Sequence, residues 1–214
     1  MLGEFLEIGL ATPDMLRSLE FYRQLGFAEA PTGGGGKHPY TVVTDGHLYL
    51  GLHRQDDRVH GLSFVLQELR HHVPGFEALG IEFDFCEIGL DQFNRLGFRD
   101  PEGGLVTLLE ARTYSPVHAA HVKASLCGYF LEYRLPVGDV AASARFWESL
   151  GLIVETAADG AAAQASWAGI NLSLTRAGRQ ARPTLVFANP DLDAAHALLE
   201  MRGLDPHNET GAIR

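Results

Sequence analysis

Three residues of this sequence have the type and setting for acid–base chemistry: Glu7, Glu132 and His53. Glu7 lies in LEIGLAT, Glu132 in LEYRLPV and His53 in LYLGLHR, all short segments of strand character. A carboxylate in a concave, partly apolar site has its pKa raised by desolvation, and then serves as a general base or holds a cationic or hydrogen-bonding ligand. A histidine near such a carboxylate completes an acid–base pair. The competing reading makes the two glutamates relics of an ancestral repeat, solvated or salt-bridged, and His53 an ordinary strand-end histidine. Around these residues, the period of two in a strand brings Tyr49 and Gly51 to the face of His53, sets Ser63 beside Gly61, and turns Thr107 inward on a later strand. The corresponding set further along the chain is Arg134, Asn171, Ser173, Thr175 and Thr184. Small or neutral polar groups among apolar walls are the usual lining of a pocket for a small organic molecule.

The elements that must position these residues follow from an internal repeat. LEIGLATPDMLRSLEFYRQLGF (6–27) and LEYRLPVGDVAASARFWESLGL (131–152) share Leu6/Leu131, Glu7/Glu132, Leu10/Leu135, Asp14/Asp139, Ser18/Ser143, Phe21/Phe146, Leu25/Leu150 and Gly26/Gly151 at a constant offset of 125. LYLGLHR (48–54) pairs with INLSLTR (170–176), and LSFVLQELRHHVPGFEALG (62–80) with LVFANPDLDAAHALLEMRG (185–203). In each copy an alternating strand, with Ile8 and Leu10 on one face and Glu7, Gly9 and Ala11 on the other, precedes a helix capped by Asp14 and stopped at Gly26. A hairpin then turns through Thr44-Asp45-Gly46. From Leu62 the order restarts with a strand to Leu66, a helix around Val73–Leu79, and strands near Ile81–Glu87 and Leu105–Glu110, the last entered through the Asp100-Pro101-Glu102-Gly103-Gly104 turn. Each large repeat therefore holds two units of strand, helix and strands. The domains expected are residues 1–110 and 129–214, joined by a connection at 111–128 that has no strong period. The first copy runs 30 residues past Gly80 to Glu110, whereas 11 follow Gly203, so the second copy is expected to lack its last hairpin.

Other motifs carry less. His71-His72 open a helix, where adjacent side chains diverge by roughly 100° and share a metal poorly. His118 and His121 fall in the connection without a further ligand at metal spacing. Gly33–Gly36 before Lys37 fails as a phosphate loop, since Pro31 stands where the first glycine belongs and His38 follows the lysine; a flexible loop over a cup mouth is expected instead. Phe21-Tyr22 and Phe146-Trp147 fall on helical apolar stripes and belong to the core. With 17 Lys and Arg against 27 Asp and Glu, a formal charge of -10 and no basic run, nucleic-acid binding lacks its driving force. No apolar stretch reaches about 18 residues, so the expectation is a soluble, cytoplasmic protein with no membrane partner. Cys86 and Cys127 are too few for a disulfide framework and are expected as reduced thiols.

The nested pattern, carried by LEIGLATPDMLRSLEFYRQLGF, LEYRLPVGDVAASARFWESLGL and FRDPEGGLVTLLE (98–110), resembles the vicinal oxygen chelate superfamily of glyoxalases, bleomycin-resistance-type binding proteins and extradiol dioxygenases. The resemblance covers nearly the whole chain. It implies an α+β fold of tandem βαβββ modules, paired so that curved sheets enclose two cups, the last module being incomplete. It also implies four metal-ligand positions per cup, one near the start of each module's first strand and one in each last strand. On this sequence those positions are Glu7, Gly51, Gly61 and Thr107 in the first pair of modules, and Glu132, Ser173 and Thr184 in the second. A one-residue slip would bring His60 to the place of Gly61, but it would also reverse the face that the side chain takes. Glycine offers no donor, and hydroxyls substitute poorly for imidazole or carboxylate on a divalent metal.

The expected function is therefore metal-independent binding of a small, partly apolar organic molecule, with Glu7 and His53 as the candidate catalytic residues. Tyr49, Ser63, Thr107, Glu132, Arg134, Asn171 and Ser173 are the candidate ligand-binding residues; no metal ligand and no cofactor are expected. The runner-up is a metal-dependent lyase or extradiol-type dioxygenase with Glu7 as base or ligand. A third reading is a non-catalytic structural subunit, in which the cup has become a dimerisation surface; a homodimer is compatible with this organisation.

Overall fold

The computed structural model describes residues 1–30, 40–54, 61–111, 125–178 and 181–205. The Gly33–Gly36 loop, His60, His118, His121, most of the connection and the last nine residues lie outside the described residues. The elements run β1 (Glu4–Thr12), α1 (Met15–Gln24), β2 (Ala28–Ala30), β3 (Tyr40–Thr44), β4 (Tyr49–Arg54), β5 (Gly61–Val65), α2 (Leu69–Ala78), β6 (Phe83–Glu87), β7 (Arg95–Arg99) and β8 (Leu105–Leu109). They continue β9 (Tyr129–Val137), α3 (Val140–Ser149), β10 (Ile153–Thr156), β11 (Ala162–Trp167), β12 (Ile170–Arg176), β13 (Thr184–Ala188) and α4 (Leu192–Met201). Strand, helix and three strands thus recur three times, and β13 with α4 begin a fourth unit. The strand orders are β2-β3-β4-β1-β5-β8-β7-β6 and β10-β11-β12-β9-β13.

The same local chemistry builds three of the four helices. Asp14, Asp139 and Asp191 accept a hydrogen bond at 3.0 Å from the backbone N–H of Arg17, Ala142 and Ala194, satisfying one of the orphan donors at each N-terminus. All four helices end two residues before a glycine with positive φ, at Gly26, Gly80, Gly151 and Gly203, with one capping residue between. That conformation disfavours a residue with a Cβ. The helix α2 departs from the pattern: it begins at Leu69 rather than near Val73, its N-cap Glu68 is left-handed (φ 51°) without a side-chain cap, and Pro74 lies inside it. Pro74 forfeits one internal hydrogen bond, while Leu69 and Phe76 anchor the helix in the core. The strand β7, read from sequence only as the segment entering the turn at Phe98–Arg99, begins at Arg95 and pairs with β8 through that turn, whose Asp100 carboxylate accepts from the N–H of Glu102 (2.9 Å) and Gly104 (2.7 Å).

The chain divides into two compact units, each gathering separated segments. The first comprises Met1–Ile8, His60–Pro116 and Arg134–Pro183. In it, β8 lies between β5, its parallel neighbour, and β7, its antiparallel one, and Leu62, Phe64, Leu96, Phe98, Val106 and Leu108 form one fully covered face. Phe76 of α2 packs on Phe98 with ring centroids 5.6 Å apart. Trp147, Val140 and Ala144 of α3 are buried against the β10–β12 sheet, where Ala163, Ala165, Leu172 and Leu174 are buried. The second unit comprises Gly9–Val59, Val117–Tyr133 and Thr184–Arg214. There α1 covers the β4 side that carries Leu50 and Leu52, and Phe187 meets Phe27 (6.4 Å) and Phe130 (5.6 Å) edge to face. Burial along β1 does not alternate as the sequence suggests, since Glu7, Ile8 and Gly9 are all buried and Leu10 only partly. The strand lies inside the larger sheet rather than at its edge, and inner strands lose the two-sided contrast that alternation requires.

One substitution between the repeats leaves a measurable defect. Thr12 Oγ1 and Ser18 Oγ hydrogen-bond at 2.7 Å, but Val137 stands in the place of Thr12, and the buried Ser143 Oγ has no partner among the described residues. Ser143→Ala is expected to raise stability by about 1 kcal/mol, because an unsatisfied buried hydroxyl costs about 1–3 kcal/mol. Val137→Thr, which gives Ser143 a partner, is expected to be close to neutral. Urea unfolding followed by circular dichroism measures both, and a loss of stability in Ser143→Ala would show that the hydroxyl is satisfied.

Candidate functional site

In the second unit the β3–β4 hairpin displays the clearest arrangement of functional side chains. Its turn is held by Asp45, whose carboxylate accepts from His47 N–H (3.0 Å) and Leu48 N–H (2.8 Å), while Gly46 takes φ +91°. That turn fixes the register Tyr40↔His53, Val42↔Gly51 and Thr44↔Tyr49, and β2 adds Ala30 opposite Val42 and Ala28 opposite Thr44. Cross-strand partners share a face, so Tyr40, Val42, Thr44, Tyr49, Gly51 and His53 lie together. The opposite face carries Val43, Leu50 and Leu52, at 0–1% exposure. Gly51 therefore puts no side chain between Tyr49 and His53, with the small Ala30 beyond Val42, and Gly51, Val42 and Thr44 are buried. The Tyr40 ring closes one end, its centroid 4.7 Å from that of His53 at an interplanar angle of 40°. Tyr40 was not among the residues singled out from sequence, although pairing the strands outward from Asp45-Gly46 leads from His53 to it.

Burial lowers the pKa of His53 below its usual 6.5. The imidazole is thus neutral at pH 7, presenting one donor and one acceptor nitrogen. Because the folded value lies below the unfolded one, the unfolded chain binds the extra proton first as pH falls. The stability linked to His53 is complete above about 6.5 and is lost between that value and the lower folded one. The urea midpoint of the wild type should therefore fall further between pH 7.5 and 5.5 than that of His53→Asn; parallel curves would refute the assignment.

In the first unit, Ser63 and Thr107 are directly paired across the parallel β5–β8 ladder and are half-buried. Glu7, on the part of β1 that belongs to this unit, is 5% exposed. Gly61 faces Leu105, and a Cβ at Gly61 would lie 2.5 Å from the Leu105 carbonyl oxygen. This position cannot take the histidine that the resemblance calls for unless the backbone moves. With Gly51 also lacking a side chain and Thr107 offering only a hydroxyl, the donor chemistry does not fit a divalent metal. Among the described residues no group of three His, Cys, Asp or Glu side chains is placed to hold one.

The corresponding residues of the second copy are distributed differently. Ser173 is buried and accepts from Gln164 Nε2 at 3.2 Å, its partner in the β11–β12 register. Asn171 and Arg134 are exposed, and Glu132 is half-buried on β9. Thr175 and Thr184 are half-buried. His71 is exposed beside Glu68, Cys86 is exposed, and Cys127 is buried with its thiol pushed up to about 11, chiefly by desolvation. No described helix is long and apolar enough to cross a membrane.

No family model matches the sequence, and no curated protein does. Solved structures do. The chain is similar to a catechol 2,3-dioxygenase, with TM-score 0.65 and 16% identity over 95% of this chain and 78% of that one. It is similar to the Mn(II)-bound glyoxalase from Novosphingobium aromaticivorans, with TM-score 0.63 and 16% identity over 95% and 72%. It is also similar to homoprotocatechuate 2,3-dioxygenase from Brevibacterium fuscum in complex with 3,4-dihydroxyphenylacetate, with TM-score 0.68 and 15% identity over 93% and 69%. At this level of identity the likeness concerns the fold, and it agrees with the recurring strand–helix–strands order of the chain. The chain has the α+β fold of these dioxygenase and glyoxalase structures.

Proposed function

We propose that this protein binds a small, partly apolar organic molecule without a metal ion. The observation that carries this reading is the β3–β4 face, where Gly51 carries no side chain between Tyr49 and His53, and the Tyr40 and His53 rings lie 4.7 Å apart at the end of that row. Such a face suits a flat ring: aromatic side chains contribute about 0.5–1.5 kcal/mol per pair beyond area burial, and the neutral imidazole supplies a hydrogen bond. The donor positions support the same reading, since a binding site of this kind does not need the ligands that Gly51, Gly61 and Thr107 fail to provide. The test is a thermal-shift screen of planar phenols, ketones and amides, 2-naphthol and 2-naphthamide among them, on tag-free protein in EDTA. A ligand at 100 times its dissociation constant stabilises the fold by about 2.7 kcal/mol. Absence of any shift across the panel would count against binding and favour a structural subunit.

One observation favours a second reading. Glu7 is a buried carboxylate on β1, the setting in which a general base is tuned, and this supports an enzyme of the lyase or extradiol-dioxygenase type with Glu7 as base or ligand. Turnover abolished by Glu7→Gln, with binding retained, would establish it. The domain division at 111–128, a cytoplasmic location and a homodimer remain parts of the proposal; sedimentation of the purified chain tests the last.

A further inference from the structure

We infer that α4 carries a homodimer interface, in which the stripe of Ala194, Ala197, Leu198 and Met201 meets the same stripe of a second copy across a two-fold axis, with the two helices antiparallel. This inference rests on the homodimer part of the proposal above and names its surface. The helix is anchored in its own unit by Ala195 and Leu199, at 7% and 1% exposure. Ala194, Ala197, Leu198 and Met201 are exposed, Leu198 at 39% and Met201 at 74%. Their spacing of i, i+3, i+4 and i+7 puts them together on a second face, which a surface helix ordinarily gives to polar groups. The repeat separates this face from the one that the unit's own strands cover. At the matching places of α2, His71, Pro74, Gly75 and Ala78 are exposed although β8, β7 and β6 complete that unit. The stripe of α4 is therefore apolar where a complete unit still meets water.

A two-fold axis between Ala197 and Leu198 sets Ala194 of one copy against Met201 of the other, and Ala197 against Leu198. Each large side chain then meets a small one, and the helices approach closely. Charge obeys the same axis. At about 100° per residue, Asp191 and Arg202 lie within about 20° of each other on one edge of the stripe, at opposite ends of the helix. Reversing one helix brings Asp191 of each copy to Arg202 of the other. Both side chains are already held in place: Asp191 Oδ1 accepts from the Ala194 N–H at 3.0 Å, and Arg202 Nη1 donates to the Gln24 carbonyl at 2.7 Å. These bonds use one carboxylate oxygen and one guanidinium nitrogen, so the second oxygen and further donors serve the ion pair. Asp193 and Glu200 stand about 110–130° from the line through Ala194, Leu198 and Met201 and stay in water. A parallel pair would instead set Asp191 beside Asp191 and align the helix dipoles unfavourably. Four side chains per copy cover less than the about 800 Å² per partner of a stable interface, so the dimer is weak and reversible.

The experiment is sedimentation velocity of the full chain from about 10 to 300 µM, the range suited to a weak dimer. The mean mass should rise with concentration from the 23.3 kDa of one chain toward twice that. Leu198→Glu and Met201→Glu should each weaken association at least about tenfold without a comparable fall in melting temperature. Met201 is the more exposed of the two, so its variant reads the interface even if Leu198→Glu unsettles the fold. In a Cys86→Ser background, Leu198→Cys should oxidise to a covalent dimer, because the axis passes beside it. Met201→Cys should not, since its two copies lie about 10 Å apart along the helices. A wild type that stays monomeric at the highest concentration would overturn both this interface and the homodimer. A dimer that survives both glutamate variants, or that cross-links equally through Met201→Cys, would overturn the interface and leave the homodimer standing.

Discussion

Replacing Gly3 or Gly128 by alanine is expected to destabilise the protein by about 3 kcal/mol or more in each case. Both glycines have positive φ, +79° and +89°. A Cβ at Gly3 would lie inside 3.0 Å of the Val65 carbonyl oxygen, and one at Gly128 inside 3.0 Å of the Ala188 carbonyl oxygen. Two costs therefore add at each site. The left-handed backbone costs an L-residue about 1–2 kcal/mol, and a methyl group forced against main chain, which cannot rotate away, costs about 1–3 kcal/mol more. Against a total of about 5–15 kcal/mol this is a large fraction. The two positions are also related by the repeat, Gly3 approaching the end of β5 as Gly128 approaches the end of β13. Gly160→Ala is the control: its φ is +67° but nothing lies within 4 Å, so only the backbone cost of about 1–2 kcal/mol applies. Urea midpoints for the three variants measure the difference, and equal losses at Gly3 and Gly160 would remove the steric part of the account.

Adding a side chain at Gly51 is expected to have the largest effect on binding. Gly51→Leu places four carbon atoms between Tyr49 and His53, where the proposed ring lies, and should weaken the best planar ligand by about 100-fold, the scale of a lost hot spot. Because Gly51 is buried in the sheet, the substitution also stresses the fold, so melting of the free variant must be recorded alongside. Tyr40→Leu provides the independent arm. It removes the ring that packs on His53 while keeping an apolar residue at a partly exposed position, and should weaken binding about two- to tenfold through the lost aromatic pair. Unchanged affinity in both variants would move the ligand away from this face.

Much of the architecture was legible because its signals are local. Asp14 and Asp139 with their helical stripes and glycine stops, and the Asp45-Gly46 turn, each carry a stereochemical reason that does not depend on the rest of the chain. The repeat then extended those signals to nearly every element. What escaped depends on contacts distant in sequence. The strand β7 reads RLGFR, whose central Gly97 weakens any strand pattern and is explained only by the Phe85 ring lying over it. The early start of α2 leaves no cap to recognise, since Glu68 is held left-handed without one. Gly3 and Gly128 match across the repeat, but their need for glycine comes from the carbonyls of Val65 and Ala188, far along the chain. At the candidate site, the row from Ser63 to Thr107 follows from period 2 and pairing. The closure of Gly61 against Leu105 does not, and it is the feature that sets the donor positions of this chain against a metal.

Metal independence is tested most directly by calorimetric titration of tag-free protein with the tightest member of the planar panel, once in EDTA and once with one equivalent of Mn(II) or Fe(II), alongside metal analysis of the protein as purified. The dissociation constants should agree within about twofold, with less than about a tenth of an equivalent of first-row metal present. Binding at least about tenfold tighter with the metal, or stoichiometric metal in the purified protein, would contradict the proposal and support the enzyme reading built on Glu7.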